Sequence, residues 1–119
     1  MNTPTTHRDL LAWREAMTLV EVVYRDTASL PKEEMFGLTA QIRRAAVSVP
    51  SNIAEGYGRQ ATGEYRHHLS IARASLLELE TQVLLCHRLS FLDESEVNSL
   101  IDEIEEISKM IASLISKIR

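Results

Sequence analysis

Apolar residues recur every three or four positions in four separate stretches of this chain, and this spacing predicts helices. Such spacing places apolar side chains along one face of a helix, where they can enter a shared core. The four rows are Leu10, Trp13, Met17, Val20, Tyr24 and Thr27; Leu38, Ile42, Ala45, Val49 and Ile53; Tyr65, Leu69, Ala72, Leu76, Leu79, Val83 and Cys86; and Val97, Leu100, Ile104, Ile107, Met110 or Ile111, Leu114 and Ile118. No strand pattern competes with these rows, so the predicted class is all-α.

The breaks between the four rows are short, at residues 30–32, 57–61 and 90–93. Short connections make neighbouring helices antiparallel. The chain has 119 residues, which suits one domain. We therefore predict a disordered tail over residues 1–7 and one up-down-up-down antiparallel four-helix bundle over residues 8–119.

Residues that commonly cap helices mark three of the predicted starts: Thr6 or Asp9, Thr62, and Asp93 or Ser95. The second helix is predicted to begin near Glu33 or Glu34, because acidic side chains suit the positive end of a helix dipole. Gly56 and Gly58 are predicted to end that helix.

Pro50 lies in the middle of the second predicted helix. In a straight helix its ring would clash with the carbonyl of Ala46, at a cost of about 3 kcal/mol. Either the helix is kinked between Ala46 and Pro50, or one helix ends near Val49 and another begins with Pro50 in its first turn. The apolar row keeps its phase from Ile42 to Ile53, and this favours the kink.

Polar residues form a row on each of the second and third helices, beside small residues that would allow close packing. The two rows are Gln41, Arg44, Ser48, Asn52 and Glu55; and Glu64, His68, Ser75, Glu78 and Gln82. One interpretation is a hydrogen-bonded network across a bundle or subunit interface, with Asn52, Glu55, Ser75 and Glu78 as candidates. The alternative is two solvated faces.

Further apolar residues fall outside the four rows, on the first and last helices: Leu11, Leu19, Val23, Ile101 and Ile115. Surplus apolar surface suggests an oligomer. The alternative is a larger core within one protomer.

The charge is unevenly distributed, although the net charge is only −4. Residues 36–75 hold 5 Arg and 2 Glu, which gives +3, whereas residues 76–119 hold 4 basic and 9 acidic residues, which gives −5. The basic stretch supplies a candidate strip for nucleic acid or an acidic partner: Arg43, Arg44, Arg59, Arg66 and Arg73. The alternative is ordinary solvated helix faces.

No catalytic or metal-binding motif stands out. The glycines at positions 56 and 58 lack the lysine and hydroxyl residue of a phosphate loop. Glu64 and His68 could form half of a metal site, but no third ligand is in register. Cys86 and His87 are adjacent without an orienting acid nearby. We therefore expect a protein that is not an enzyme and has no cofactor or metal.

The sequence also predicts a cytoplasmic protein that does not enter a membrane. The amino terminus has no apolar signal-peptide core. No uncharged apolar run approaches the roughly 20 residues that a membrane span needs. The single cysteine, Cys86, fits a reducing compartment.

The motifs SNIAEG at residues 51–56 and ELET at residues 78–81 carry a family resemblance. The chain resembles the four-helix bundle proteins encoded within intervening sequences of bacterial 23S rRNA genes. Related members include the accessory variability protein of diversity-generating retroelements. The resemblance implies a homopentameric ring of four-helix protomers, and it does not imply an enzyme. Retroelement members bind nucleic acid and a reverse transcriptase, so the resemblance also suggests RNA or DNA as a partner.

Overall fold

The computed structural model describes residues 6–118, which fold into four α-helices without a strand. The helices are α1 (Leu11–Thr27), α2 (Leu38–Tyr57), α3 (Thr62–Arg88) and α4 (Glu94–Ser116). The predicted all-α class with four helices is confirmed. None of the helices in residues 6–118 combines the length and apolar content needed to cross a membrane.

Each helix packs against two neighbours around a common core. The α2 helix contacts α1 and α3, and α4 contacts α3 and α1. Along α2 and α3 the contacts run in opposite chain directions, since Ser48 meets Ser75 and Asn52 meets His68. These two helices are therefore antiparallel. The up-down-up-down order of the whole bundle stays a prediction.

The amino-terminal residues Thr6 and His7 were predicted as part of the tail. His7 begins a short 3-10 turn over His7–Asp9, and Thr6 directly precedes it. The Thr6 hydroxyl accepts a hydrogen bond from the Arg8 N–H at 3.2 Å, and the Asp9 carboxylate accepts one from the Thr6 N–H at 3.2 Å. Thr6 thus caps this turn and not α1. The rest of the predicted tail, residues 1–5, lies outside the described residues.

The predicted start of the second helix was wrong. Residues Lys32–Glu34 form a separate 3-10 turn, and α2 begins at Leu38. Gly37 interrupts the helical backbone with φ −112° and ψ −110°. The Glu34 carboxylate accepts a hydrogen bond from the Leu38 N–H at 3.2 Å. It therefore satisfies one of the unpaired donors of the first turn from outside the helix.

The first turn of α4 has a side-chain cap, whereas the first turn of α3 has none. Thr62 is the first residue of α3 and not its cap, because Ala61 holds the cap position without a side-chain hydrogen bond. At α4 the predicted cap Asp93 accepts from the Glu96 N–H at 2.8 Å, and Glu96 accepts from the Asp93 N–H at 3.0 Å. This reciprocal pair is a capping box.

Pro50 lies inside an unbroken α2 and is buried. The two-helix alternative is therefore not the observed arrangement. A kink at Pro50 stays a prediction.

The buried face of α1 agrees only in part with the predicted row, of which Leu10 and Thr27 are buried. Ala12, Ala16, Leu19 and Val23 face the core, whereas Met17 of the predicted row is 42% exposed. Both rows are apolar and spaced by three or four, so period alone does not choose between them. Contact of α1 with α2 and α4 decides which of the two rows is buried.

The apolar residues of α1 and α4 that fell outside the predicted rows are mostly buried or packed against the core. Leu19 and Val23 are fully buried core residues, and Ile101 and Ile115 pack at the edge of the core. Only Leu11 of that set is exposed. Nine leucine and isoleucine side chains from all four helices are almost completely buried: Leu19, Ile42, Ile53, Leu69, Leu76, Leu79, Leu100, Ile107 and Ile111. Burial of each contributes about 1.5–3 kcal/mol.

Candidate functional site

Four polar side chains form a continuous hydrogen-bonded chain between α2 and α3. His68 Nδ1 lies 3.0 Å from Asn52 Oδ1. Asn52 Nδ2 donates to the Ser48 carbonyl at 2.9 Å and to Ser48 Oγ at 3.0 Å. Ser48 Oγ lies 2.8 Å from Ser75 Oγ. Because Asn52 Oδ1 can only accept, the bond to His68 requires a proton on Nδ1. We call this chain of four residues the α2–α3 seam.

Gly56 marks a close approach of the two helices. A Cβ atom there would lie 2.7 Å from His68 Cβ, 3.1 Å from Tyr65 Cδ1 and 3.2 Å from the Tyr65 carbonyl oxygen. Gly56 and Gly58 were predicted to end this helix, and Gly58 is the C-cap of α2, whereas Gly56 lies inside α2, one residue before the end. Its role is to leave room for α3 next to the seam.

The four predicted network residues have separate environments. Asn52 and Ser75 belong to the seam. Glu55 lies at its edge, with Oε2 3.9 Å from His68 Nδ1 and a largely exposed side chain. Glu78 accepts a hydrogen bond from Gln82 Nε2 at 3.2 Å within α3 and is exposed.

Sequence reasoning left two seam residues, Ser48 and His68, off the list of candidates. Both stand in the predicted polar rows, which was the available signal. Which members of a row meet a partner depends on the relative shift of α2 and α3, and spacing within one helix carries no information on that shift.

Arg43 holds the end of α1 against α2. Its Nε donates to Thr27 Oγ1 at 3.0 Å, and its Nη2 donates to the Tyr24 carbonyl at 3.3 Å. The guanidinium lies 4.5 Å from the centre of the Tyr24 ring, within cation–π range. Arg43 is therefore a structural residue whose remaining N–H donors are held in a fixed position.

Of the other predicted arginines, only Arg44 shares a surface with Arg43. Arg66 Nη2 donates at 3.0 Å to the carbonyl of Ile118, which follows the end of α4. Arg73 is exposed and lines a groove beside α4. Arg59 lies 3.8 Å from the Glu64 carboxylate, and Arg44 is exposed on α2. Arg43 and Arg44 therefore lie on the side of the bundle near α1, whereas Arg66 and Arg73 lie on the side near α4.

A groove of about 580 Å³ lies between the end of α1 and the start of α2. Its lining combines apolar and basic side chains: Tyr24, Met35, Thr39, Ala40, Arg43, Arg44, Val47 and Ser48. We call it the Tyr24 groove. Its volume falls within the usual range of ligand clefts.

The solvent side of α3 carries four exposed leucines, which we call the outer α3 face: Leu77, Leu84, Leu85 and Leu89. Leu77 is 65% exposed. Leu77 and Leu84 are seven residues apart and share one row of the helix. Burying these side chains would be favourable, so this face fits contact with another chain.

The described residues contain neither a metal-binding cluster nor a reactive cysteine. Within residues 6–118 no group of three His, Cys, Asp or Glu side chains is placed to hold a metal ion. Burial, with the Glu34 charge adding to it, raises the pKa of the Cys86 thiol to about 11. The thiol is therefore neutral and enclosed at physiological pH, which is unlike a nucleophilic cysteine.

Comparison with known proteins identifies a family and a fold. The model of the family described as 23S rRNA-intervening sequence protein matches residues 8–113. No curated protein matches the chain. A solved protein of unknown function from the S23 ribosomal protein family, from Bacteroides thetaiotaomicron, has a TM-score of 0.81 at 22% identity, covering 90% of this chain and 96% of that chain. The family match confirms the resemblance carried by the SNIAEG and ELET motifs.

Proposed function

The chain belongs to the family of 23S rRNA-intervening sequence proteins, and on that basis we propose that it is a non-enzymatic, oligomeric four-helix bundle that serves as a cytoplasmic scaffold or binds a partner. The outer α3 face is the observation that carries the proposal. Four large apolar side chains on one helix are unusual on a surface that stays in water. Self-association would remove them from solvent.

The proposed assembly is a ring, and the resemblance favours five copies. The outer α3 face would meet a different surface of the next protomer, because a contact between unlike surfaces can close into a ring by rotation. Each Å² of apolar surface covered contributes about 25 cal/mol before the costs of association are subtracted. The leucines are therefore expected to dominate the stability of the contact.

Light scattering tests the assembly. We expect the wild-type mass to be a multiple of 13.5 kDa, with the fivefold value for a pentamer. The double variant Leu77→Glu with Leu84→Glu should shift the mass towards the protomer, because two charges would be buried without partners.

The matched control is Met17→Glu, an exposed apolar residue on α1. It should leave the mass unchanged. A wild-type mass equal to one protomer at micromolar concentration would contradict the proposal. So would a double variant that assembles as the wild type does.

An RNA- or DNA-binding accessory role is the alternative. Its support is that Arg44, Arg59 and Arg73 are exposed, so that a ring would present several copies of each. A shift assay on structured RNA at low salt separates the two roles. Binding should weaken with salt, and replacing these three arginines by alanine should flatten that dependence. Absence of binding at low salt excludes the alternative.

A further inference from the structure

The Tyr24 groove has an apolar lining that its own protomer leaves uncovered. Met35 is 54% exposed, and Tyr24 and Val47 are also exposed. Phe36, which directly follows Met35, is 93% exposed. Methionine adapts its shape to varied apolar partners. These side chains fit the apolar face of an incoming segment.

Two cations border the same groove. Arg43 is fixed by Thr27 and Tyr24, so its free N–H donors are already oriented. Arg44 is exposed and has no hydrogen-bond or ion-pair partner among residues 6–118. No acidic side chain lines the groove. The nearby Glu34 carboxylate faces the Leu38 N–H. The charge of the groove therefore complements carboxylates.

We propose that the Tyr24 groove binds an acidic amphipathic helix of a partner protein, with its apolar side chains on Met35 and Val47 and its carboxylates on Arg43 and Arg44. Helices commonly dock in grooves through anchors spaced by three and four residues. This inference rests on the proposed partner-binding role and adds the site and the chemistry of the partner.

Two other occupants fit less well. A nucleic acid would satisfy the arginines through phosphates but would leave Met35 and Val47 uncovered. The acidic α4 of a second copy has its apolar row buried in its own core, with Val97, Leu100, Ile104, Ile107 and Ile111 all buried. Among the described residues, no large hydrophobic side chain on α4 is highly exposed. That helix would offer carboxylates to the arginines but no highly exposed apolar side chain to Met35 and Val47.

The experiment uses fluorescence anisotropy with the full-length protein and a labelled synthetic helical peptide. The peptide carries leucines at i, i+3 and i+4, flanked by glutamates. A second peptide replaces the glutamates by lysines, and a third replaces the leucines by serines. We expect the first peptide to bind and the other two to bind at least about tenfold more weakly, because each lacks one of the two complementary features.

The variants locate the site. Arg44→Glu should weaken the binding of the glutamate peptide by about tenfold or more. Val47→Glu should do the same through loss of the apolar contact. Arg73→Glu is the matched control, since it reverses another exposed arginine, beside α4. It should leave affinity unchanged.

Four results would overturn the proposal. The first is no binding of the glutamate peptide. The second is equal weakening by Arg73→Glu, which would indicate general attraction. In the third, Arg44→Glu lowers the mass in light scattering, which would mean that a second copy covers the groove. In the fourth, Arg44→Glu abolishes binding to structured RNA while the glutamate peptide does not bind. An unchanged mass with weakened peptide binding supports the groove whether or not the outer α3 face assembles.

Discussion

Replacing Gly56 with alanine is expected to lower the free energy of unfolding by about 2 kcal/mol. The added Cβ would lie 2.7 Å from His68 Cβ and 3.2 Å from the Tyr65 carbonyl oxygen. Neither is the flexible end of a side chain, so α2 and α3 must separate to admit the methyl group. Helix propensity acts in the opposite direction, since alanine is favoured over glycine by up to about 1 kcal/mol. The steric cost should therefore exceed this gain. Urea unfolding monitored by circular dichroism measures the difference.

Gly63→Ala is the matched control for this prediction. Gly63 lies in the first turn of α3, and a Cβ there would meet nothing within 4 Å. The same chemical change should therefore stabilise the protein by a few tenths to about 1 kcal/mol. Opposite signs for the two variants would support the close contact at Gly56. If Gly56→Ala were as stabilising as Gly63→Ala, the helices would not be in contact at that position.

The number of helices could be predicted because it depends on local patterns. The apolar period identifies each helix, and Asp93 with Glu96 marks the start of α4 within four residues of sequence. The buried face of α1 could not be predicted in the same way. Met17 and Leu19 both lie on apolar rows with helical spacing. Contact with α2 and α4 decides which row is buried, and that information is not local.

The candidate site could also be predicted only as far as it depends on local patterns. The polar rows allowed a shared polar boundary between α2 and α3 as one of two interpretations, and Ser48, Asn52, His68 and Ser75 come from those rows. The pairing between them depends on how α2 is shifted along α3. The roles of the arginines also depend on distant partners, since Arg43 reaches Thr27 and Arg66 reaches Ile118. A count of basic residues cannot separate these structural arginines from the exposed Arg44.

Replacing Asn52 with alanine is expected to lower the free energy of unfolding by about 2 kcal/mol, because three hydrogen bonds are lost and each contributes about 1 kcal/mol or less. Two of these bonds go to Ser48 and one to His68. The His68 N–H would remain partly buried without its acceptor. Asn98→Ala, an exposed asparagine on α4, is the control and should change stability by less than about 0.5 kcal/mol.

A double-mutant cycle of Asn52→Ala with Ser75→Ala tests whether the seam acts as one unit. Both residues bond to Ser48 Oγ, so we expect a coupling energy of about 0.5 kcal/mol or more. Glu78→Ala should not couple to Asn52, because Glu78 bonds to Gln82 within α3. The seam joins α2 and α3 of one protomer. We therefore expect Asn52→Ala to lower the melting temperature and to leave the mass in light scattering unchanged. A fall in mass at a temperature where the variant stays folded would mean that Asn52 also contacts a second protomer.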